Sequence, residues 1–314
     1  MQDIRPMGAV GLPKGQKGKD KLESLYKNPL YSAEKKFDGS RYTLRIDNNG
    51  GLFLQSRKES VKGGMCDKTD RVPHIIEEAG RLPVGTILDG EIDILEGRNF
   101  HYVQGCMGSL PERAIQIQEE NQKLYYKCFD ILEYKGRDLR NIPLRERREI
   151  LDRLLKSEIK FQYIILVEQI KDEKEKRELF DKEIEKGMEG IILKNLEAIY
   201  QEDKKPANTW YKVKLVDTFD GVVVGYNPGQ GKYTGTVGSL KVAQYLNGVL
   251  IEVADCGGMT DKLRDIFKKR IDKGERFIIE FAAQEPEAHN RYRHPRFKRV
   301  REDKNERDCI YGQK

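Results

Sequence analysis

AEKKFDGSRYTLRI, Ala33 to Ile46, is the stretch on which the fold turns. Tyr42, Leu44 and Ile46 alternate with Thr43 and Arg45, the period-two pattern of a strand with one buried face. Just ahead of that strand stands Lys36, beside Phe37, Asp38 and Gly39. A charged residue at a strand edge can simply discourage aggregation, so KFDG by itself carries little.

Working outward, the chain keeps alternating strands with turns. Tyr42 to Asp47 is followed by the turn NNGG at 48–51 and a strand from Leu52 to Ser56. A short helix is expected near His74 to Gly80, and strands over Thr86 to Ile94 and Lys123 to Leu132. Asn141 should cap a helix running to about Lys156, with Leu144, Leu151, Leu154 and Leu155 on one face. Next come a strand at Tyr163 to Glu168 and a charged helix from Asp172 to Lys186, stopped by Gly187. Met188 to Lys194 and Trp210 to Leu215 read as strands, and the first thirty residues, rich in Gly and Lys, as loop.

Beyond Val216 the texture changes. Short strands are expected at Phe219 to Tyr226, Gly238 to Tyr245, Val249 to Asp255 and Phe277 to Ala283, with one helix at Thr260 to Ile271. That pattern suits a small barrel of the OB type, with the domain break near residue 215. GQGKYTG, Gly229 to Gly235, looks like a phosphate loop but joins two strands rather than opening a helix. It reads as a glycine-rich hairpin.

The 314 residues suffice for two domains. A composition of 38% hydrophobic and 35% charged residues fits a soluble globular protein. No apolar run approaches the roughly 18 residues of a membrane span. The N-terminal stretch lacks a signal peptide's apolar core, so the expectation is a cytoplasmic protein that is not secreted. Five cysteines without a CxxC pair argue against a disulfide framework or a zinc site. Net charge is +6, and Arg291 to Arg301 holds Arg291, Arg293, Arg296, Lys298, Arg299 and Arg301 with no acid among them. Such a run is either a solvated face or a polyanion-binding surface.

Other segments change the weight of KFDG. KFDGSR at 36–41, SR at 56–57, DGEI at 89–92, FDIL at 129–132, EGIILK at 189–194 and WYKVK at 210–214 follow one another down the chain. In this order they resemble the motifs of covalent nucleotidyltransferases, from about Ser32 to Lys304. RHPRFKRVREDK at 293–304 resembles the C-terminal motif of ATP-dependent DNA ligases in particular. The chemistry explains the gathering. A lysine amine attacks phosphorus only when neutral, yet its ordinary pKa is roughly 10.4. Burial and nearby cations such as Lys194, Lys212 and Lys214 would favour the neutral form.

The resemblance implies an α+β protein: a nucleotidyltransferase domain of ATP-grasp-like antiparallel sheets with helices over residues 1–215, then an OB-fold β-barrel over 216–314. It implies Lys36 as the nucleophile that carries AMP, and Asp38 and Glu189 as carboxylates supporting metal-assisted chemistry. Glu91 would hold the ribose, with Asp38, Glu91 and Glu189 as ligand candidates for Mg2+ or Mn2+. Phe129 would stack on adenine. Glu34 and Lys194 would belong to the ATP site, and Lys212 and Lys214 would contact the α-phosphate. Arg41 and Arg57 would meet nucleotide and 5′-phosphate groups, Ser56 nucleic acid beside them. Arg293, Arg296 and Lys304 would close over ATP, and Arg299 and Arg301 would face nucleic acid. A hinge at Leu215 to Asp217 would drive that closure, and the loops Lys58 to Asp70 or Gly229 to Gly238 would help surround DNA.

The implied activity is sealing of 5′-phosphate/3′-hydroxyl nicks in duplex DNA, through lysyl-AMP and 5′-adenylated DNA. Its partners would be ATP and nicked duplex DNA, acted on by a monomer with no obligatory protein partner. An RNA ligase or an mRNA capping guanylyltransferase is the alternative within the superfamily. A non-catalytic nucleic-acid-binding module is the alternative outside it.

Overall fold

The stretch Ala33 to Ile46 contributes to two strands, and these lie in different sheets. Tyr31–Lys35 pairs antiparallel with Ile191–Asn195, which pairs in turn with Trp210–Val213; Val10–Gly11 joins the far edge in parallel. Ser40–Ile46 lies instead in a seven-stranded sheet, between Leu52–Glu59 and Thr86–Asp93, with Tyr125–Tyr134 next along. Residues 36–39 therefore cross from one sheet to the other. The computed structural model describes residues 4–13, 16–59, 65–97, 99–186, 188–214, 217–284 and 290–313. These fall in two units, Met1–Lys214 and Leu215–Lys314.

Two glycines make the crossing sterically possible. A Cβ on Gly39 would sit 2.2 Å from the Ile92 carbonyl oxygen. Gly190 has φ +121°, and a Cβ there would sit 2.2 Å from the Val213 oxygen. Any side chain at either point would force the strands apart. The left-handed backbone at Gly190 also explains why the strand expected from Met188 begins at Ile191.

Hydrophobic packing divides along the same lines. Leu44, Leu54, Leu88, Ile131 and Tyr126 of the seven-stranded sheet pack with Ile75, Val103 and Leu151 of three helices, Pro73–Ala79, Phe100–Gly108 and Leu144–Leu155. Ala33, Ile191, Leu193 and Tyr211 of the smaller sheet pack with Leu25, Tyr26 and Leu179. A third cluster, with Met7, Phe129, Leu132, Tyr200 and Trp210, draws on both sheets.

Several expectations need correction. The first thirty residues are not loop throughout: Gln16–Lys27 is a helix that buries Leu25 and Tyr26, and Met7 is fully enclosed. Leu22, Leu25 and Tyr26 have the three- and four-residue spacing of one helical face, easily lost among the lysines. Asn141 caps nothing. The helix starts at Leu144, and its first free N–H groups, on Leu144 and Arg145, donate to the carbonyls of Ala198 and Leu196 at 3.0 and 2.9 Å. A distant segment thus replaces a side-chain cap. Asp172 does cap its helix, accepting from Glu175 N at 3.0 Å.

The second unit is a five-stranded antiparallel sheet in the order Val249–Cys256, Val237–Leu246, Asp217–Pro228, Phe277–Gln284, Arg293–Val300. Helix Asp261–Asp272 packs Phe267 into a core with Phe219, Val242, Ile279 and Phe281. Gly257, just past one edge strand, bridges to Arg296 on the other. Most of the basic run is thus a strand, Arg293–Val300, although no regular structure was expected there. Gly229 to Gly235 lies between antiparallel neighbours and carries one short turn of helix, Gly231–Tyr233.

Residues 60–64 of the loop expected over Lys58 to Asp70, Gly187, and residues 215–216 of the expected hinge lie outside the described residues. Among the described residues no helix is long and apolar enough to cross a membrane.

Candidate active site

Lys36 is fixed at both ends. Its backbone N–H donates to the Gly190 carbonyl at 2.9 Å, and its ammonium ion-pairs with Glu189. Register brings the two segments together: Ile191 lies opposite Lys35, which sets Lys36 beside Gly190 and within reach of Glu189. The Lys36 amine is pushed down to about 8, chiefly by burial, with Lys214 and Lys212 adding to the effect against Glu91 and Asp38. Burial pushes the Glu91 carboxyl up to about 7, although Lys36 and the Gly39 N–H (2.9 Å) favour its charged form. Lys212 is lowered by burial and then by Lys214, Lys205 and Arg57. Basic groups thus run in sequence from the nucleophile candidate to the surface.

A narrow cavity of about 100 Å³ opens beside Lys36. Glu34, Lys36, Arg41, Glu91, Phe129 and Lys194 all line it, together with Phe37, Ile192 and Trp210. Three of these side chains already have partners within the protein. Arg41 is not poised for a phosphate: Nε and Nη2 grip Asp89, the first at 2.9 Å, and Nη1 donates to the Met7 carbonyl at 2.6 Å. Lys194 is buried against Glu34 at 2.6 Å. Phe129 has cations over its ring, Lys194 at 4.2 Å and Arg41 at 5.2 Å from the centroid, and it packs edge-on to Trp210.

Asp38 is buried close enough to act on Lys36, while Lys212 and Lys214 are partly exposed. Ser56 is buried opposite Tyr42; its neighbour Arg57 is exposed and lines an open cavity of about 500 Å³ with Arg5, Lys204 and Lys205. Glu189 is committed to Lys36 and Glu91 to Gly39, and among the described residues no three His, Cys, Asp or Glu gather as ligands.

The remaining candidates belong to the second unit. Arg293 and Arg296 lie on its edge strand, Arg296 exposed. Arg299 pairs with Glu280 at 2.6 Å, and Arg301 with Asp220 at 2.9 Å and Asp303 at 2.8 Å; Lys304 pairs with the same Asp220 at 2.9 Å. The run without acids in sequence meets its acids across the sheet. Arg299, Arg301 and Lys304 thus have acids as neighbours, while Arg296 and Lys298 are exposed on the strand.

Sequence reasoning missed the second layer of this site. Tyr200 donates to Asp89 at 2.7 Å and accepts from Met7 N at 3.0 Å, and it packs edge-on to Trp210. Asp89 and Trp210 stood inside quoted motifs and could have been marked; nothing local singles out Tyr200.

With this geometry in hand, the comparisons with known proteins agree on one family. Residues 16–214 match the family described as ATP dependent DNA ligase domain. A DNA ligase of Archaeoglobus fulgidus is 30% identical over 312 residues, covering 91% of this chain and 54% of that protein. A probable DNA ligase of Streptomyces coelicolor is 32% identical over 248 residues, 77% of this chain and 46% of that one. The chain thus spans about half the length of the curated relatives it matches. A solved structure from a structure-function study of Lig E DNA ligases, on DNA binding with a minimal scaffold, shares the fold. Its TM-score is 0.67 at 19% identity, with 94% of this chain and 100% of that chain covered. On the family match over well more than half its length, this chain belongs to the ATP-dependent DNA ligase domain family.

Proposed function

We propose that the protein is an ATP-dependent DNA ligase that seals nicks through a lysyl-AMP intermediate. The observation that carries this reading is Lys36, an amine set against Glu189 at the mouth of a cavity between two sheets that Glu91 and Phe129 also line, where burial pushes it down to about 8. At pH 7 roughly a tenth of such an amine is neutral, against well under a thousandth for an ordinary lysine. In the first step the Lys36 Nζ–phosphorus bond forms while the bond from the α-phosphorus to pyrophosphate breaks, and the amine gives up its proton. Contact with Glu189 favours the ammonium, so the amine is freed when that contact opens. Lys212 and Lys214 are the donors for the α-phosphate, and Asp38 and Glu91 hold the amine and the ribose in register. AMP then passes to a 5′-phosphate, and the 3′-hydroxyl displaces it. Positioning and charge stabilisation carry most of such in-line displacements.

A divalent ion fits this donor set in part. Mg2+ is held by one or two carboxylates with phosphate oxygens completing its shell, and a buried carboxyl raised to about 7, as at Glu91, gains from a nearby cation. Asp38, Glu91 and Glu189 are the residues that would hold Mg2+ or Mn2+, which when bound would neutralise charge on the leaving pyrophosphate. We read the second unit as an OB fold. Supporting that are five strands with the helix between the third and fourth, and the Gly257–Arg296 bridge joining third and fifth. Its exposed basic strand is the candidate surface for nicked duplex DNA.

Purified protein mixed with magnesium and α-labelled ATP should become labelled, Lys36→Ala should not, and the wild type should seal a nicked duplex. Label from GTP instead would move the reading to a capping enzyme. No label in folded protein freed of bound AMP would overturn it.

A further inference from the structure

Tyr125–Tyr134 is an enclosed strand, yet it contains a lysine, Lys127, that is itself buried. The ammonium makes two contacts. It pairs with Asp93 Oδ2 at 3.2 Å, a carboxylate almost completely enclosed, and it lies 4.4 Å from the centroid of the Phe37 ring. Phe37 directly follows Lys36. We propose that Lys127 and Asp93 are positioning residues for the nucleophile: they clamp Phe37 and so fix the backbone from which Lys36 projects. The inference rests on the adenylation reading above.

The crossing segment shows why a clamp matters. Residues 36–39 belong to neither sheet and have no ladder to hold them. Lys36 N is tied to the Gly190 carbonyl at 2.9 Å and Gly39 N to Glu91 Oε1 at 2.9 Å. Between those ties, the Phe37 ring meets the Lys127 ammonium. Lys127 lies opposite Glu91 in the strand ladder, so the strand pair that supplies the Gly39 tie also supplies the clamp. Asp93 adds to both. Its Oδ1 accepts from Ile94 N at 2.8 Å, its Oδ2 takes Lys127, and its Cβ would lie 2.9 Å from a side chain at Gly39. Charge pair, ring and glycine are one packed unit beneath the nucleophile. A desolvated cation against an aromatic ring is one of the stronger non-covalent contacts open to a lysine. A methionine at 127 would fill similar space but leave Asp93 unpaired and the ring free to turn.

The test separates positioning from general damage. Lys127→Met, Lys127→Arg and Phe37→Leu would be compared with wild type in single-turnover adenylation at varied ATP. Each would also be assayed in sealing of a chemically pre-adenylated nicked duplex, a step that makes no bond to Lys36. Lys127→Met should slow adenylation about 10- to 100-fold with half-saturation by ATP changed less than about twofold. Sealing of the pre-adenylated nick by Lys127→Met should stay at the wild-type rate, Lys127→Arg should restore most of the loss, and Phe37→Leu, at the cavity wall, should slow adenylation more than sealing. If Lys127→Met fails to fold, Phe37→Leu with its intact charge pair carries the test. Adenylation at the wild-type rate in all three variants would overturn the inference alone. So would a parallel loss of both activities, which marks a structural role. A wild type that takes no label at all would instead overturn the adenylation reading.

Discussion

The two units use the same kind of ion pair to opposite ends. In the first unit Arg147 and Asp130 meet through two bonds of 2.8 Å with both side chains fully enclosed, and Lys194 meets Glu34 at 2.6 Å in an equally dry place. In the second unit Arg299 meets Glu280 at 2.6 Å, but the arginine side chain is 65% exposed. Distances do not distinguish them. Water does, because a pair in solvent gains little and loses little, whereas a buried pair makes each partner indispensable to the other. Groups whose titration shifts most by burial, such as Lys36 and Glu91, lie in such enclosed places for the same reason.

Breaking the buried side should give the largest effect. Arg147→Met strands Asp130 and also removes donors from the carbonyls of Ile142 and Ala198. Urea or thermal unfolding should show a loss of about 3–5 kcal/mol, and Asp130→Leu added to it should recover part. A loss within experimental error would mean that burial does not set the value of these pairs.

The next effect is one of pH. The Lys36 amine lies at about 8 in the folded chain, below its ordinary value of 10.5, so folding favours the neutral form. Adenylation at saturating ATP should rise about tenfold per pH unit up to roughly pH 8 and level off above it. The sign for stability is the same. Below pH 8 the fold bears the cost of an enclosed ammonium, and that cost fades as pH rises from 8 towards 10.5. A rate that climbs without a break to pH 10 would return Lys36 to the behaviour of a surface lysine.

The smallest effect belongs to the exposed side. Arg299→Gln should leave the melting temperature unchanged, since its pair with Glu280 is solvated. If the basic strand faces DNA, the same change should weaken binding to all sequences alike and reduce the salt slope by about one. A clear fall in melting temperature would erase the contrast between the units.

Much of the site was legible because its chemistry is local. Gly39 and Gly190 stand within KFDG and EGIILK because backbones touch there, and the Lys36–Glu189 pair joins those two segments. The strands that carry Glu91 and Phe129 were expected close to where they lie, as enclosed runs rather than alternating ones. Legibility ended where partners come from elsewhere in the chain. Arg41 looked available to a phosphate until Asp89 and Met7 took its donors. The helix Gln16–Lys27 was hidden because lysines outnumber its apolar face, and Phe100–Gly108, with two glycines in FHYVQGCMG, gave little periodic signal.

By itself, then, the amino-acid order determined which residue types the site contains, where the glycines must be and which segments extend as strands, since steric limits and side-chain period act over a few residues. Only the tertiary structure decided that residues 36–39 cross between sheets, that Lys127 and Asp93 lie beneath them, and which cations are spent on acids. Those outcomes depend on desolvation and on contacts between residues as far apart as Lys36 and Glu189, and neither is written in any one segment.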